Sequence, residues 1–284
     1  MSSLMSASHP SQPTAPPRLT DRAALLRNRA RADRAGREDW LHELALAEVQ
    51  DRLADINRRF TAAAVVTGNP DFWRAAMPGA RVVADAPELG LDPAAHDLVI
   101  HALALHWADD PVGQIVQSAR ALRPDGLFLA VLPGGQTLAP LRAPLAQAEV
   151  EITGGLSPRI APFGEIRDLG ALVQRGGLAL PVADQISQAV SYRDLFHLAR
   201  DLRAMGEGNA LDRRLRRPTA RAVMLRAAEI LATTAPDPDN PGRIRLGLDL
   251  VFLTGWAPAE NQQKPLRPGS AQIRLADALS KRTT

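Results

Sequence analysis

The clearest candidates for chemistry in this chain are a histidine and a tryptophan at the end of an apolar stretch. His106 and Trp107 directly follow "HDLVIHALAL". An imidazole can hydrogen-bond or move a proton, and an indole can stack on a substrate. In the alternative interpretation Trp107 closes the top of a core and His106 lies at its rim. Glu207, in "MGEGN", could face a cleft, although the glycines around it also suit an ordinary helix end.

A second group of residues could hold a nucleotide-like ligand. Asp85 ends the stretch "RVVAD", where a carboxylate can accept a hydrogen bond from the exocyclic amine of a base. An aspartate at such a position more often caps a turn. Gly68 stands in "FTAAAVVTGNPDFW", a strand, turn and helix pattern that suits a cofactor loop but carries one glycine. Gly134-Gly135 could let the backbone approach a ligand, although a sharp turn is the favoured interpretation.

The elements that must position these residues alternate between apolar strands and amphipathic helices. Strands that are apolar on both faces indicate a parallel sheet covered on both sides, and right-handed crossovers then give a doubly wound α/β fold. In such a sheet, ligands bind beyond the carboxyl ends of the strands. The predicted strands cover about 62–66, 81–85, 96–105, 127–132, 182–190 and 246–256, and the predicted helices about 41–60, 69–77, 110–122, 138–152, 165–175, 192–205 and 218–231.

The chain divides into three parts on composition. Residues 1–20 contain a Ser- and Pro-rich stretch that predicts a disordered tail. Residues 21–60 hold an N-terminal helix and most of a basic arm, which runs from residue 18 to residue 37. Residues 61–284 form the α/β domain, with a helical insertion at about 191–240. The basic arm could dock on an acidic partner or a lipid surface. The favoured interpretation is a solvated, partly helical tail.

Composition excludes several classes of function. The 284 residues include no cysteine, which rules out disulfides, thiolate metal ligands and a cysteine nucleophile. The six histidines form no HxxxH or HxH pair, so we expect no metal site. No apolar run is long enough for a transmembrane segment, and without a secretory signal core we expect a cytoplasmic location. A net charge of +3 and the absence of a stacking platform argue against nucleic-acid binding.

Several longer segments resemble a known family. They are "HDLVIHALALHW", "ARALRPDGLFLAVLPGGQTLAPLR", "EITGGLSPRIAPFGEIRDLGALVQRGGLALPVAD", "DLRAMGEGN" and "GSAQIRLADAL". From about Trp40 onward the chain resembles the class I S-adenosylmethionine-dependent methyltransferase superfamily. The nearest branch is that of the complex I assembly factor that acts as an arginine hydroxylase. The biotin-synthesis malonyl-carrier-protein methyltransferases are more distant. The patterns GGxTLxxLR and GGLSPRIxPF are specific to this branch.

The resemblance implies both a cofactor and a partner. It implies S-adenosylmethionine, with Asp85 beside the adenine, Ala102 and Leu103 near the reactive centre, and Gly68 as the remnant of the glycine loop. It places His106 and Trp107 at the reacting edge. Glu207 is a further catalytic candidate on its local sequence alone. The implied activity is methylation or arginine hydroxylation of a protein, and the implied partner is a complex I peripheral-arm subunit.

The first strand departs from the family pattern. Family members carry Asp-x-Gly-x-Gly-x-Gly there, whereas this chain reads "AVVTGNPDFW". Only fifteen residues run from Thr67 to Arg81, too few for a helix, a strand with the ribose-binding acid, and a second helix. We therefore expect a sheet reduced by one βα unit. The alternative function is a non-catalytic, protein-binding assembly factor that has lost cofactor binding.

Overall fold

A computed structural model describes residues 18–260 and residue 262. Its centre is a six-stranded sheet with the order β2-β1-β3-β4-β6-β5. The strands are β1 (Ala63–Thr67), β2 (Arg81–Ala84), β3 (His96–Ala102), β4 (Leu122–Pro133), β5 (Ala179–Tyr192) and β6 (Ile244–Trp256).

The sheet has one antiparallel strand, as far as the described residues go. β1 pairs in parallel with β2 and β3, and β3 pairs in parallel with β4. β6 runs antiparallel to β4 and β5. Every residue of β3 is buried, because both faces of the sheet are covered by helices. The predicted doubly wound, mostly parallel sheet is confirmed.

The helices lie on both faces of the sheet and at its carboxyl edge. They are α1 (Arg22–Ala35), α2 (Trp40–Asp55), α3 (Pro70–Ala76), α4 (Pro111–Ala121), α5 (Ala139–Thr153), α6 (Ile166–Arg175), α7 (Leu195–Ala204) and α8 (Arg221–Thr234). One core layer packs Ile115 and Val173, from α4 and α6, against the sheet. The other packs Val49 and Trp73, from α2 and α3. The helical insertion expected before the last strand consists of α7 and α8, which form a third cluster with α5.

The connection between β1 and β2 is short, as the sequence predicts. It holds α3, of seven residues, and no additional strand. β2 then pairs directly with β1. Among the residues that the structure describes, the sheet therefore has six strands where the family has seven, and the expected loss of one βα unit is confirmed.

The basic arm differs from the favoured interpretation. Residues 22–35 form α1, which buries Ala24, Leu25, Arg29 and Ala32. Asp21 caps its amino end by accepting a hydrogen bond from the Ala24 amide at 3.0 Å. The expectation of a solvated tail is wrong for this segment, because an apolar stripe on one helix face gave it a surface to bury.

Some expectations fall outside the described part of the chain. The predicted disordered tail lies largely within residues 1–17, and "GSAQIRLADAL" covers residues 269–279, so neither can be compared with the structure. Among the helices of the described residues, none has the length and apolar character needed to cross a bilayer.

Candidate functional site

His106, Trp107 and Glu207 meet at the carboxyl edge of the sheet. His106 and Trp107 lie in a 3-10 turn (Leu105–Trp107) just beyond β3, and Glu207 lies in the loop after α7. The Trp107 indole nitrogen donates to the Glu207 carboxylate at 2.7 Å, and His106 Nε2 is 3.3 Å from the same oxygen. Residues 100 positions apart in the chain are thus brought into one cluster.

The Glu207 carboxylate is held in its charged form. Burial would raise its pKa, but hydrogen bonding and charge interactions with His106, the charge of Arg29 and the hydrogen bond from Trp107 together hold the pKa below its usual value. About 21% of the side chain remains exposed. An ionised carboxylate is therefore available at the edge of the cluster.

A cavity of about 280 Å³ opens beside this cluster, between the sheet edge and helices α5, α7 and α8. Most of its wall is apolar or aromatic. Its lining includes Trp40, Leu103, His106, Trp107, Leu141, Phe163, Leu198, Glu207 and Leu246. Arg159 also lines it, but its charge is neutralised because its guanidinium donates to both carboxylate oxygens of Glu149. A mainly apolar pocket with a few convergent polar groups is typical of a binding site.

His42, which the sequence did not single out, also lines the cavity. Its Nδ1 accepts a hydrogen bond from the Trp73 indole nitrogen at 3.1 Å, which assigns the proton of the neutral ring to Nε2. Burial lowers the pKa of His42 to about 4, although the nearby Glu207 opposes this. His42 is therefore neutral near pH 7.

Asp85, the second main candidate, contacts the protein's own arginines. Arg29 Nη1 lies 2.8 Å and 2.9 Å from its two carboxylate oxygens. Arg22 Nη2 donates to it at 2.7 Å. Burial would raise the pKa of Asp85, but the charge of Arg29 and the hydrogen bonds from both arginines hold the pKa far below its usual range.

Gly68 adjoins the same guanidinium. A Cβ atom built on Gly68 would lie 2.2 Å from the central carbon of the Arg29 guanidinium. One signal for this contact is visible in the sequence, because Arg22, Leu25, Arg29 and Ala32 share a helix face. An arginine in the middle of an apolar stripe is a buried charge that needs a partner.

These contacts test whether S-adenosylmethionine fits. By the family resemblance, Asp85 would accept from the adenine and the backbone at Gly68 would meet the rest of the ligand. Both positions are taken by Arg29, and the segment that would carry the ribose acid is reduced to α3. The residues at this edge therefore do not fit the cofactor with α1 in place.

The remaining candidates divide between core and cavity. Ala102 is fully buried in the core, opposite Thr67 in the sheet. Leu103 lines the cavity, with a φ of 49° in the left-handed region that non-glycine residues rarely adopt. In the Gly134-Gly135 turn the Gly134 amide donates to the Asp249 carbonyl on β6 at 3.1 Å, so this turn has a structural role.

No group of three or more His, Cys, Asp or Glu side chains that could hold a metal ion occurs in the described ranges.

The strand order, with β6 as an antiparallel strand beside β4, and the cluster at the carboxyl edge define a doubly wound α/β protein with its candidate site where this fold class binds ligands. Residues 46–130 match the family model described as "Methyltransferase domain". The YcgJ protein from Bacillus subtilis superposes with a TM-score of 0.48 at 12% identity, over 77% of this chain and 100% of that one.

Curated relatives identify the branch. The mitochondrial arginine-hydroxylase NDUFAF5 of Dictyostelium discoideum is 39% identical over 188 residues, which cover 66% of this chain and 43% of that protein. A malonyl-[acyl-carrier protein] O-methyltransferase of Xylella fastidiosa is 32% identical over 181 residues, covering 64% and 58%. The chain thus spans about half the length of these relatives. It belongs to the class I S-adenosylmethionine-dependent methyltransferase superfamily, in the branch of the NDUFAF5 arginine hydroxylases.

Proposed function

We propose that this chain assists the assembly of respiratory complex I by binding an arginine side chain of a peripheral-arm subunit against Glu207, and that this arginine is then hydroxylated or methylated with an oxidant or a methyl donor supplied from outside the described residues. The observation that carries the proposal is the ionised Glu207 carboxylate, fixed by Trp107 at the rim of an apolar cavity. The name of the Dictyostelium relative, an arginine hydroxylase, supports arginine as the target.

The chemistry of the cluster favours a guanidinium over an ammonium group. A guanidinium is weakly hydrated, stacks on aromatic faces and donates in a planar fork that matches a carboxylate. Trp107, Phe163 and Trp40 supply aromatic surface in the cavity, and Glu207 supplies the carboxylate. A lysine would lose more hydration and gain less from the rings.

The three candidate catalytic residues have different parts in this proposal. Glu207 receives the cation, and Trp107 fixes the carboxylate through its indole N–H. His106 Nε2 contacts the same oxygen, and its Nδ1 has no hydrogen-bond partner among the described residues. The Nδ1 atom is itself buried, so in this proposal His106 positions the Glu207 carboxylate through Nε2.

The alternative is a non-catalytic assembly factor that binds the subunit without modifying it. The observation that favours it is Arg29, which takes the positions at Gly68 and Asp85 where the family would hold S-adenosylmethionine. Family membership implies that cofactor, whereas the residues at this edge do not fit it with α1 in place. Calorimetric titration of S-adenosylmethionine into the purified chain distinguishes the two.

The cytoplasmic location expected from the sequence stays a prediction. The Dictyostelium relative is described as mitochondrial, which is a property of that protein.

Affinity capture from cells tests the proposed function. We expect the tagged chain to capture a peripheral-arm subunit, and mass spectrometry of that subunit to show one arginine that gains an oxygen or a methyl group only when the chain is present. Glu207→Gln removes the charge with little change in shape and should abolish capture. Glu88→Gln, at an exposed position, is the matched control. Capture of the subunit with an unmodified arginine would favour the non-catalytic alternative.

A further inference from the structure

We infer that the recess between Gly68 and Asp85 is a guanidinium-binding site, filled in this chain by its own Arg29 in place of a nucleoside. The inference concerns the end of the sheet edge formed by β1 and β2 and does not rest on the function proposed for Glu207.

The first support is the pairing of the charged groups. Arg29 Nη1 contacts both oxygens of Asp85, and the two side chains are only 6% and 4% exposed. A carboxylate this deeply buried is costly unless a cation and hydrogen bonds compensate it. Arg22 adds a second guanidinium contact at 2.7 Å.

The second support is the shape of the recess. Three atoms of the Arg29 guanidinium group, the central carbon, Nη2 and Nε, would lie within 2.6 Å of a Cβ atom on Gly68. The planar group therefore lies flat against the bare backbone, and any side chain at position 68 would occupy its space. The one glycine that survives in this loop makes room for a guanidinium.

The third observation is that the same helix reaches the Glu207 loop. Asn28 Nδ2 donates to the Gly208 carbonyl at 3.0 Å. A Cβ atom on Gly206 would lie 3.2 Å from the Arg29 Cα. Leu25 packs in the same cluster as Trp107. Helix α1, which carries Arg29, therefore packs beside both partners of the Trp107–Glu207 hydrogen bond.

Chemical rescue of Arg29→Ala tests the inference. This variant removes the guanidinium and leaves the Asp85 carboxylate and the bare Gly68 backbone. We expect its melting temperature to fall, and millimolar ethylguanidinium to restore part of the loss in a saturable way, because a ligand that binds only the folded state stabilises it. Ethylammonium carries the same charge without the planar group that lies against the Gly68 backbone, and should not restore it. Arg27→Ala, at an exposed position of the same helix, should show neither the loss nor the rescue.

A second ligand tests whether the recess is instead a latent cofactor site. S-adenosylhomocysteine should leave the melting temperature of Arg29→Ala unchanged, and its stabilisation of that variant would overturn the inference. Equal rescue by ethylammonium, or no rescue by either cation, would also overturn it. If Arg29→Ala does not stay folded by itself, refolding yield with and without ethylguanidinium gives the same comparison. Subunit capture through Glu207 is measured separately, so failure of one proposal is distinct from failure of the other.

Discussion

The Nη1 atom of Arg29 lies 2.8 Å and 2.9 Å from the two carboxylate oxygens of Asp85, and both side chains are buried. This contact joins α1 to the carboxyl end of β2 across 56 positions of the chain. It makes the N-terminal helix part of the candidate site, and it occupies the position that the family resemblance assigns to the adenine.

Asp85→Asn should destabilise the protein strongly. The substitution leaves the Arg29 charge buried without its carboxylate, and removal of one partner from a buried pair costs about 3–5 kcal/mol. Chemical unfolding measures the loss, and hydrogen exchange should show faster exchange in residues 22–35. Asp92→Asn, at an exposed position, is the control and should change little. A stability of Asp85→Asn equal to that of the control would mean that the pair does not anchor α1.

Gly68→Ala should displace the Arg29 side chain. The new methyl group would overlap the guanidinium, whose nearest atom lies 2.2 Å from the Cβ position. A double-mutant cycle with Arg29→Ala measures the coupling, because residues in direct contact show non-additive effects of about 0.5–3 kcal/mol. Gly155→Ala, whose nearest neighbouring atom would be 3.8 Å away, is the control. Strict additivity of Gly68→Ala and Arg29→Ala would contradict the described contact.

The sheet could be predicted from the sequence because its signals are local. The unbroken apolar run Leu98 to Ile100 indicates a strand buried on both faces, and it lies in the middle of β3. Only fifteen residues run from Thr67 to Arg81, which is room for one short helix between the two strands. This length correctly predicted that one βα unit is absent from the connection.

The Arg29–Asp85 pair could not be predicted in the same way. It joins residues far apart in sequence, and the surrounding arginines of the basic arm are exposed, among them Arg27, Arg31 and Arg34. The helical spacing of Leu25, Arg29 and Ala32 shows that Arg29 is on the buried face, but not which carboxylate it meets. His42 was missed for a similar reason, since its partner Trp73 comes from another helix.

Acid should destabilise the protein through His42. Its pKa is about 4 in the folded chain against 6.5 for a free histidine, so below pH 6.5 the unfolded state binds the proton first. The stabilising contribution is complete above pH 6.5 and falls as the pH drops towards 4, by about 2 kcal/mol at pH 5. His101, whose pKa is also about 4, adds to the same trend.

Melting temperatures at about pH 7.5 and pH 5 measure this dependence. His42→Gln, whose amide oxygen can still accept from Trp73, should lose less stability on acidification than the wild type. His197→Gln, at a partly exposed position, should follow the wild type. An acid sensitivity of His42→Gln as large as that of the wild type would contradict the assignment.

Trp107→Phe should raise the pKa of Glu207. The indole N–H donates to the carboxylate at 2.7 Å and favours its charged form, and phenylalanine removes this donor while keeping an aromatic ring. The pH below which the partner subunit is released should therefore move upward. Trp107→Ala should also lose about 3–5 kcal/mol of stability, because Trp107 is 95% buried. An unchanged release pH in Trp107→Phe would show that the hydrogen bond does not control the charge of Glu207.

The most direct measurement of the central claim is the amount of assembled complex I in cells from which this chain has been deleted. We predict that assembly falls in the deletion, that the wild type and Glu88→Gln restore it, and that Glu207→Gln does not restore it although it folds and accumulates normally. Normal assembly in the deletion, or full restoration by Glu207→Gln, would contradict the proposal that the chain acts on complex I through Glu207.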